Sequence, residues 1–312
     1  MQQSNLHIFY SERFKEHETA DSPEQPERMD AVYNALKNML PQDAITWREP
    51  RLASNQELEL VHDASHIKFI EDLSSKGGGM ADDDTPVSAA SFEIARLSTG
   101  ACLAAVDAVC KGETKAAFVA SRPPGHHACH DKSMGFCIFN NIAIAARYAQ
   151  KKHELTKILI IDWDIHHGNG VQETFYEDNT VFYFSIHQYP HYPGTGLPFE
   201  EGKGKGEGFT RNLPFPPYIE AKQVLTAFKE TIEEIAGSFK PELILVSAGF
   251  DGHKADPLGN WLLEEQHYSD LAKITRSIAD QYCDGKHIDC LEGGYNMEAL
   301  SKSCAAYCGE LI

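Results

Sequence analysis

Residues 157–170 read KILIIDWDIHHGNG, and this stretch decides the fold class because it joins two different patterns. The run from Ile158 to Ile161 is apolar and mostly β-branched, which predicts a buried strand. Two carboxylates, two imidazoles and two glycines follow it directly. Strands that read as continuous apolar runs are typical of parallel sheets covered by helices. The stretch therefore predicts an α/β protein with polar groups at the carboxyl end of a strand.

The same alternation continues along the chain. Short apolar runs predict further buried strands at 116–120, 181–186, 243–247 and 287–291. Longer amphipathic stretches predict helices at 92–110, 142–152, 219–239 and 262–282. This order predicts a three-layer α/β/α fold with a mostly parallel central sheet.

Two stretches rich in glycine and charge, 74–84 and 201–208, are candidate linkers. Segments of the same α/β character continue on both sides of each, which favours long surface loops within one domain. We therefore predict a single domain over residues 1–312.

Composition argues against several classes of function. The formal net charge of −18, without a basic stripe, argues against direct binding of DNA or RNA. The acidity either maintains solubility or attracts a cationic substrate. The chain has no apolar run of transmembrane length and no signal peptide at its start, which predicts a cytoplasmic protein without a membrane partner. Eight cysteines without a CxxC pair indicate reduced thiols.

Polar motifs follow each predicted strand. They are RPPGHHA (122–128), DWDIHHGNG (162–170), His187, AGFDGHKADPLG (248–259) and EGGYN (292–296). Ligands of open α/β sheets bind outside the carboxyl ends of the strands. We therefore expect these motifs to meet at one edge of the sheet and to form a functional site.

The residues after the second strand in this series form half of a metal site. Asp162, Asp164 and His166 fall on one side if the extended conformation continues. The alternative is a helix N-terminus, but capping explains one Asp and not two with a His. Asp251 could complete an Asp/His/Asp set, or it could be only a turn residue. Zinc accepts these donors, and three protein ligands leave a position open for water.

Two other motifs carry candidate catalytic groups. His126 and His127 follow a proline turn, where adjacent side chains can point at different neighbours; alone, they could equally be a surface pair. Tyr295 follows Gly293 and Gly294, which let the backbone approach a pocket closely. A phenol near a metal can donate a hydrogen bond to an oxyanion, although Tyr295 could also be a core residue at a helix entry.

Together these motifs resemble the metal-dependent histone deacetylase family, which includes acetylpolyamine amidohydrolases. RPPGHHA, GFCIFNN (135–141), DWDIHHGNGVQ, SAGFDGHKADPLG and EGGYN occur in the family's order and spacing. SPEQPERM (22–29) and VHDASHI (61–67) extend the resemblance over nearly the whole chain. The resemblance implies zinc-dependent amide hydrolysis in an arginase/deacetylase-like fold.

The resemblance also implies a role for each residue of the site. The zinc ligands are Asp164, His166 and Asp251. The catalytic residues are His126, His127, Asp162 as the partner of His126, Asn169 as the neutral partner of His127, and Tyr295. The substrate-binding residues are Asp84, Gly135, Phe136, Tyr192, Leu258, Gly293 and Gly294. A structural potassium ion is bound by the backbone of Asp162, Asp164, His166, Ser185 and Ile186.

Two further residues receive interpretations. Arg28 resembles an arginine beneath the active site along the acetate exit route, with a helix-surface charge as the alternative. His167 is interpreted as a structural neighbour that shapes its loop.

Several functions remain open at this stage. The leading hypothesis is removal of acetyl or other short acyl groups from lysine Nε in proteins by metal-activated water. An acetylpolyamine amidohydrolase is the alternative, since an Asp of the 82–84 loop could attract an ammonium group or could simply be solvated. A manganese ureohydrolase would need more carboxylates to hold two metals. A catalytically silent acyl-lysine binder is disfavoured because the residues expected for catalysis are all present. A homo-oligomer is possible.

Overall fold

The structure, a computed structural model, describes residues 6–312. Its strands are β1 (Leu6–Phe9), β2 (Ile45–Arg48), β3 (Gly78–Asp82), β4 (Thr85–Ser88), β5 (Ala116–Val119), β6 (Ile158–Asp162), β7 (Val181–Gln188), β8 (Thr210–Phe215), β9 (Leu243–Ala248) and β10 (His287–Leu291). Its α-helices are α1 (Glu27–Met39), α2 (Asn55–Leu58), α3 (Ala64–Ser75), α4 (Ser91–Cys110), α5 (Asn141–His153), α6 (Asn169–Phe175), α7 (Ala221–Phe239), α8 (Glu265–Tyr282) and α9 (Met297–Gly309).

The central sheet has eight strands in the order β2-β1-β5-β10-β9-β6-β7-β8. Every neighbouring pair in it is parallel. Helices α1, α9, α8 and α7 pack side by side, as do α3, α4, α5 and α6, and these two groups flank the sheet. The predicted α/β/α fold with a mostly parallel sheet in a single domain is confirmed.

The predicted elements and the observed ones agree along most of the chain. The five apolar runs are β5, β6, β7, β9 and β10, and all their residues are buried, which explains why the runs lack polar alternation. The four amphipathic stretches are α4, α5, α7 and α8. Burying one large aliphatic side chain contributes roughly 1.5–3 kcal/mol, so these strands anchor the core.

One of the two predictions about loops needs correction. Within the predicted surface loop 74–84, residues 78–82 form β3, which pairs antiparallel with β4 outside the main sheet. The second stretch, 201–208, is a mostly exposed loop as predicted. It is held to the domain where the Lys203 amide donates to the carbonyl of Tyr176 over 2.8 Å, and its Gly206 is buried. Glycine and charge therefore marked close backbone packing in both places.

None of the helices formed by residues 6–312 is long and apolar enough to cross a membrane.

The topology sets the position of the polar motifs. Strands β5, β10, β9 and β6 are consecutive neighbours at the centre of the sheet. Because all four are parallel, the segments that follow them leave the sheet at the same edge.

Candidate active site

Asp164, His166 and Asp251 come together just beyond the ends of β6 and β9. Strand β6 ends at Asp162 and the chain bends over residues 164–166, so the extended conformation does not continue as a strand. The three side chains still converge. His166 Nδ1 lies 3.0 Å from Asp164 Oδ1 and 3.1 Å from Asp251 Oδ2. All three residues are buried, and their potential ligand atoms lie within 4.8 Å of one another.

Backbone amides orient both carboxylates. The amides of His166 and Gly293 donate to Asp164 over 2.9 and 2.8 Å. The amide of Ile165 donates to Asp251 over 2.9 Å. A Cβ at Gly293 would lie 2.1 Å from Asp251 Oδ2, so only glycine lets the backbone approach these oxygens.

The electrostatics of this group indicate that it lacks positive charge. Burial, followed by the charge of Asp164, raises the pKa of Asp251 to about 7. Burial opposes protonation of His166, but the two carboxylates outweigh it and raise the pKa of His166 to about 10. His166 Nδ1 lies between the two acids, where a bound cation would offset their charge. One imidazole and two carboxylates are donors that zinc accepts, so the group fits a divalent zinc ion.

The tandem histidines have different partners. Their ring centroids are 4.0 Å apart. His126 Nδ1 lies 3.1 Å from Asp162 Oδ2, and His127 Nδ1 lies 2.8 Å from Asn169 Oδ1. Because an amide oxygen only accepts, His127 Nδ1 carries a hydrogen and its Nε2 is left as an acceptor.

The two histidines also differ in charge. Burial lowers the pKa of His127, and the nearby imidazoles of His126 and His166 lower it further. Burial also opposes protonation of His126, but the carboxylates of Asp162, Asp164 and Glu292 together outweigh it and raise the pKa of His126 to about 10. The pair therefore consists of a cationic His126 and a neutral His127.

Tyr295 lies between an arginine and a phenylalanine. Its ring centroid is 5.8 Å from that of Phe136 and 5.0 Å from the guanidinium carbon of Arg28. Arg28 is fully buried, and its Nε donates to the carbonyl of Gly294 over 2.7 Å. The interpretation of Arg28 as a helix-surface charge is therefore wrong.

A pocket of about 220 Å³ opens onto this group of residues. It is lined by Asp84, His127, Gly135, Phe136, His166, His191, Tyr192, Leu258 and Tyr295. The pocket thus contains five of the seven predicted substrate-binding residues, while Gly293 and Gly294 do not line it. A Cβ at Gly293 would meet Asp251, and one at Gly294 would meet Leu300. A wider groove of about 1030 Å³ runs along α6, but among the predicted site residues only Asn169 borders it.

At the mouth of the pocket, Asp84 fixes two neighbours. Its Oδ1 accepts the backbone N–H of Gly135 over 2.9 Å and the hydroxyl of Thr85 over 2.7 Å. Burial and the carboxylate of Asp84 raise the pKa of the Tyr192 phenol.

Three residues of this region were not predicted. The His191 ring stacks on His166 with centroids 4.8 Å apart, and its Nε2 donates to the carbonyl of Leu258 over 2.9 Å. Glu292 accepts the backbone N–H of Gly125 over 2.7 Å. Asp256 accepts the N–H of Tyr295 over 2.7 Å. The sequence signal for these residues was their proximity to predicted site residues. His191 precedes Tyr192, Glu292 precedes Gly293, and Asp256 lies two residues before Leu258.

His126, Cys137 and Glu292 form a second buried group with the spacing of metal ligands. Within residues 6–312, His126 and Glu292 already have partners, since Asp162 pairs with His126 and the Gly125 amide with Glu292. His167, interpreted as structural, lies near Thr195 Oγ1 at 2.8 Å and outside the pocket.

Comparison with known proteins agrees with this geometry. Residues 22–311 match the histone deacetylase domain. A probable deacetylase of Archaeoglobus fulgidus is 38% identical over 93% of this chain and 81% of its own length. A histone deacetylase-like amidohydrolase of Pseudomonas aeruginosa is 35% identical over 93% of this chain and 74% of its own.

Similarity in structure is equally extensive. The crystal structure of the HDA15 HD domain superposes with a TM-score of 0.93 at 33% identity, covering 99% of this chain and 90% of that one. The chain belongs to the histone deacetylase family. Its relatives are named as deacetylases or as an amidohydrolase, which supports a hydrolase of this kind.

Proposed function

We propose that the protein is a zinc-dependent deacetylase that removes acetyl groups from the Nε amine of lysine in proteins. The observation that carries this proposal is the convergence of Asp164, His166 and Asp251, of which His166 lines the same pocket as His127 and Tyr295. Metal-assisted amide hydrolysis uses a metal site, a proton acceptor and an oxyanion donor together.

Zinc held by Asp164, His166 and Asp251 would lower the pKa of a water molecule and polarise the substrate carbonyl. The neighbouring residues handle the protons and the developing charge. His127, with Nδ1 held by Asn169, has Nε2 free to take a proton from water and to return it to the leaving amine. His126, paired with Asp162, is already cationic and therefore disfavours a second positive charge on His127. His127 thus stays neutral until it takes the proton from water.

Tyr295 would supply the second stabilising contact to the substrate oxygen. Its phenol borders the pocket and can donate a hydrogen bond to the oxyanion that forms on hydrolysis. Burial raises the pKa of this phenol, so it keeps its proton for donation at neutral pH.

The pocket suits a slender chain that ends in an amide. Phe136 and Tyr192 supply aromatic surface for the methylenes, and Leu258 adds an aliphatic contact. The Asp84 carboxylate at the mouth can accept an amide hydrogen from a peptide backbone.

A second candidate substrate is an N-acetylated polyamine. The observation that favours it is acidity, since Asp84 lines the pocket, Asp82 and Asp83 precede it in the chain, and the net charge is −18. A free ammonium group at the far end of a polyamine would be attracted there.

The deciding experiment compares acetate release from an acetyl-lysine peptide, acetylputrescine, acetylspermidine and a longer acyl-lysine peptide. We expect the highest kcat/KM for the acetyl-lysine peptide. Preference for acetylspermidine would identify the polyamine alternative, and binding of peptide without acetate release would indicate a silent binder. Metal analysis should find one zinc per chain, whereas two manganese ions would indicate a ureohydrolase.

Tyr295→Phe tests the oxyanion role directly. We expect kcat to fall about 10²–10³-fold, because one preorganised donor is lost, while zinc content is unchanged. Acetate release under saturating substrate measures the effect. Tyr218→Phe, at an exposed tyrosine, is the matched control and should retain wild-type turnover. Unchanged turnover of Tyr295→Phe would contradict the proposed role.

Further features are part of the same proposal. The potassium ion would lie where β6 ends, with Asp162 opposite Ser185 of β7 in the parallel register. We propose that residues 1–312 form one catalytic domain, of which residues 1–5 lie outside the described part. A cytoplasmic location and a homo-oligomer stay predictions, and the relatives include the chloroplastic histone deacetylase 14 of Arabidopsis thaliana.

A further inference from the structure

The carboxylate of Asp256 joins two segments that line the pocket. It lies after β9 in a segment without regular structure and is only 7% exposed. Its Oδ2 accepts the backbone N–H of Tyr295 over 2.7 Å and that of Asn296 over 3.3 Å. Its Oδ1 accepts the backbone N–H of Leu258 over 3.0 Å. Both oxygens of one buried side chain are therefore used to hold the backbone.

The two segments held by Asp256 carry different parts of the pocket. Leu258 contributes aliphatic wall, and Tyr295 contributes the phenol. The segment of Tyr295 lies between β10 and α9 and has no ladder of its own to fix it. Asn296 strengthens the same junction, since its Nδ2 donates to the carbonyl of Ala255 over 3.1 Å. The position of the phenol thus depends on its backbone contacts to the segment after β9.

The chemistry of the junction requires a carboxylate at residue 256. Three backbone N–H groups point at its two oxygens, so both oxygens must be acceptors. An asparagine has the same size but presents an NH₂ group in place of one oxygen. That group would face an N–H donor, and a buried donor would lose its partner.

We propose that Asp256 is a positioning residue for Tyr295, which sets the phenol at the distance from the metal-ligand group that oxyanion stabilisation requires. This inference rests on the proposed deacetylase function. It extends that function to a residue that neither contacts the substrate nor binds the metal.

The test is a double-mutant cycle of Asp256→Asn and Tyr295→Phe on zinc-loaded full-length protein. Single-turnover acetate release from an acetyl-lysine peptide is measured with enzyme in excess. We expect Asp256→Asn to lower the rate about tenfold or more in the native background, with little change in KM, because an ionic hydrogen bond to the backbone is lost. In the Tyr295→Phe background the same change should cost less than about twofold, since no phenol hydroxyl remains to be displaced.

The controls separate positioning from loss of structure. Asp43→Asn, at an exposed aspartate, should match wild type. Zinc content and thermal unfolding are recorded for every variant. If Asp256→Asn does not fold, Asp256→Glu replaces it in the same cycle, because it keeps both acceptor oxygens and shifts them by one methylene.

Each outcome decides the inference. Equal loss in both backgrounds, a change in KM alone, or wild-type rates for Asp256→Asn would overturn it while leaving the deacetylase function intact. A wild-type protein that releases no acetate from any acetylated substrate would contradict the proposed function and, with it, the inference.

Discussion

Two buried clusters of charged residues lie close together in this protein and differ in how their charges are balanced. In the first, Glu24 accepts hydrogen bonds from Arg122 over 2.7 and 2.8 Å and from Arg28 over 2.9 Å. In the second, the carboxylates of Asp164 and Asp251 share the single imidazole of His166. The first cluster is completed by the protein's own cations, whereas the second needs a proton or a metal ion.

The difference in charge balance has a consequence for the pKa values. Burial alone would raise the pKa of Glu24, but Arg122 and Arg28 outweigh burial and lower it to about 2. Asp251 has no arginine hydrogen-bonded to it and shares the single imidazole of His166 with Asp164, and burial together with the charge of Asp164 raises its pKa to about 7. Strongly raised acids in a pocket are typical of functional sites, and fully paired acids are typical of structural ones.

Arg28 connects the two clusters. Its Nη1 donates to Glu24, and its Nε donates to the carbonyl of Gly294, next to Tyr295. The complete cluster therefore holds the segment that borders the incomplete one. The ion pairs of Glu24 with Arg28 and Arg122 stabilise the fold beside the site. This stabilisation offsets the unfavourable proximity of the carboxylates of Asp164 and Asp251.

The largest effect on activity is expected from replacing Asp251 in the cluster of Asp164, His166 and Asp251. Asp251→Asn should reduce acetate release to background and zinc content to near zero, because one of three proposed ligands is lost. Metal analysis and an acetate assay measure this. Asp21→Asn, an exposed change of the same type, should leave both unchanged.

Asp251→Asn also tests the charge balance of this cluster when stability is measured on metal-free protein. Metal-free Asp251→Asn should be as stable as the metal-free wild type or more so, because like-charge repulsion with Asp164 is relieved. A clear loss of stability would show that the second cluster is balanced after all.

The next largest effect is expected on stability, in the cluster of Glu24, Arg28 and Arg122. Glu24→Gln should lower the free energy of unfolding by about 3–5 kcal/mol, because two buried guanidinium groups lose their counter-charge. Urea denaturation measures the change. Glu16→Gln is the matched control, since Glu16 pairs with Arg13 on the surface over 3.1 Å and should cost less than about 1 kcal/mol. Equal effects at the two glutamates would contradict the distinction.

The smallest effect concerns pH. Burial, followed by the charge of Arg122, lowers the pKa of His17 from 6.5 to about 3, although Glu24 lies 3.7 Å away. Between these values the unfolded chain binds a proton that the folded chain does not, so stability falls as the pH falls. The slope should be at most about 1.4 kcal/mol per pH unit from this histidine.

His17→Gln isolates this contribution from the other buried histidines. The free energy of unfolding is measured between about pH 5 and pH 7, where Glu24 stays ionised. The variant should show a shallower slope than wild type over this window. Identical slopes would mean that His17 has the same pKa in the folded and unfolded states.

The sequence was informative wherever a single segment carried the pattern. The runs that became β6 and β9 ended in Asp164, His166 and Asp251, and the parallel topology brought these residues together as expected. Their roles stay predictions, because geometry alone does not measure zinc binding or turnover.

Other features depended on partners distant in the chain. Asp256 and Glu24 carry no local sequence signal, because their partners Tyr295 and Arg122 lie on distant segments that only the fold places beside them. His191 gave no periodic pattern, and only its stack on His166 reveals its position. The short strands β1 and β2 and the β3–β4 hairpin lacked the long apolar runs that marked the central strands.

The backbone at Gly135 and Phe136 restricts which substitutions these two pocket positions tolerate. Both have positive φ, +57° and +67°, and a Cβ at Gly135 would lie 2.3 Å from the His127 ring. Random mutagenesis at Gly135 should therefore yield mostly inactive clones. Leu258 and the 37%-exposed Tyr192 carry no such restriction, so directed evolution toward other acyl groups should concentrate its libraries there.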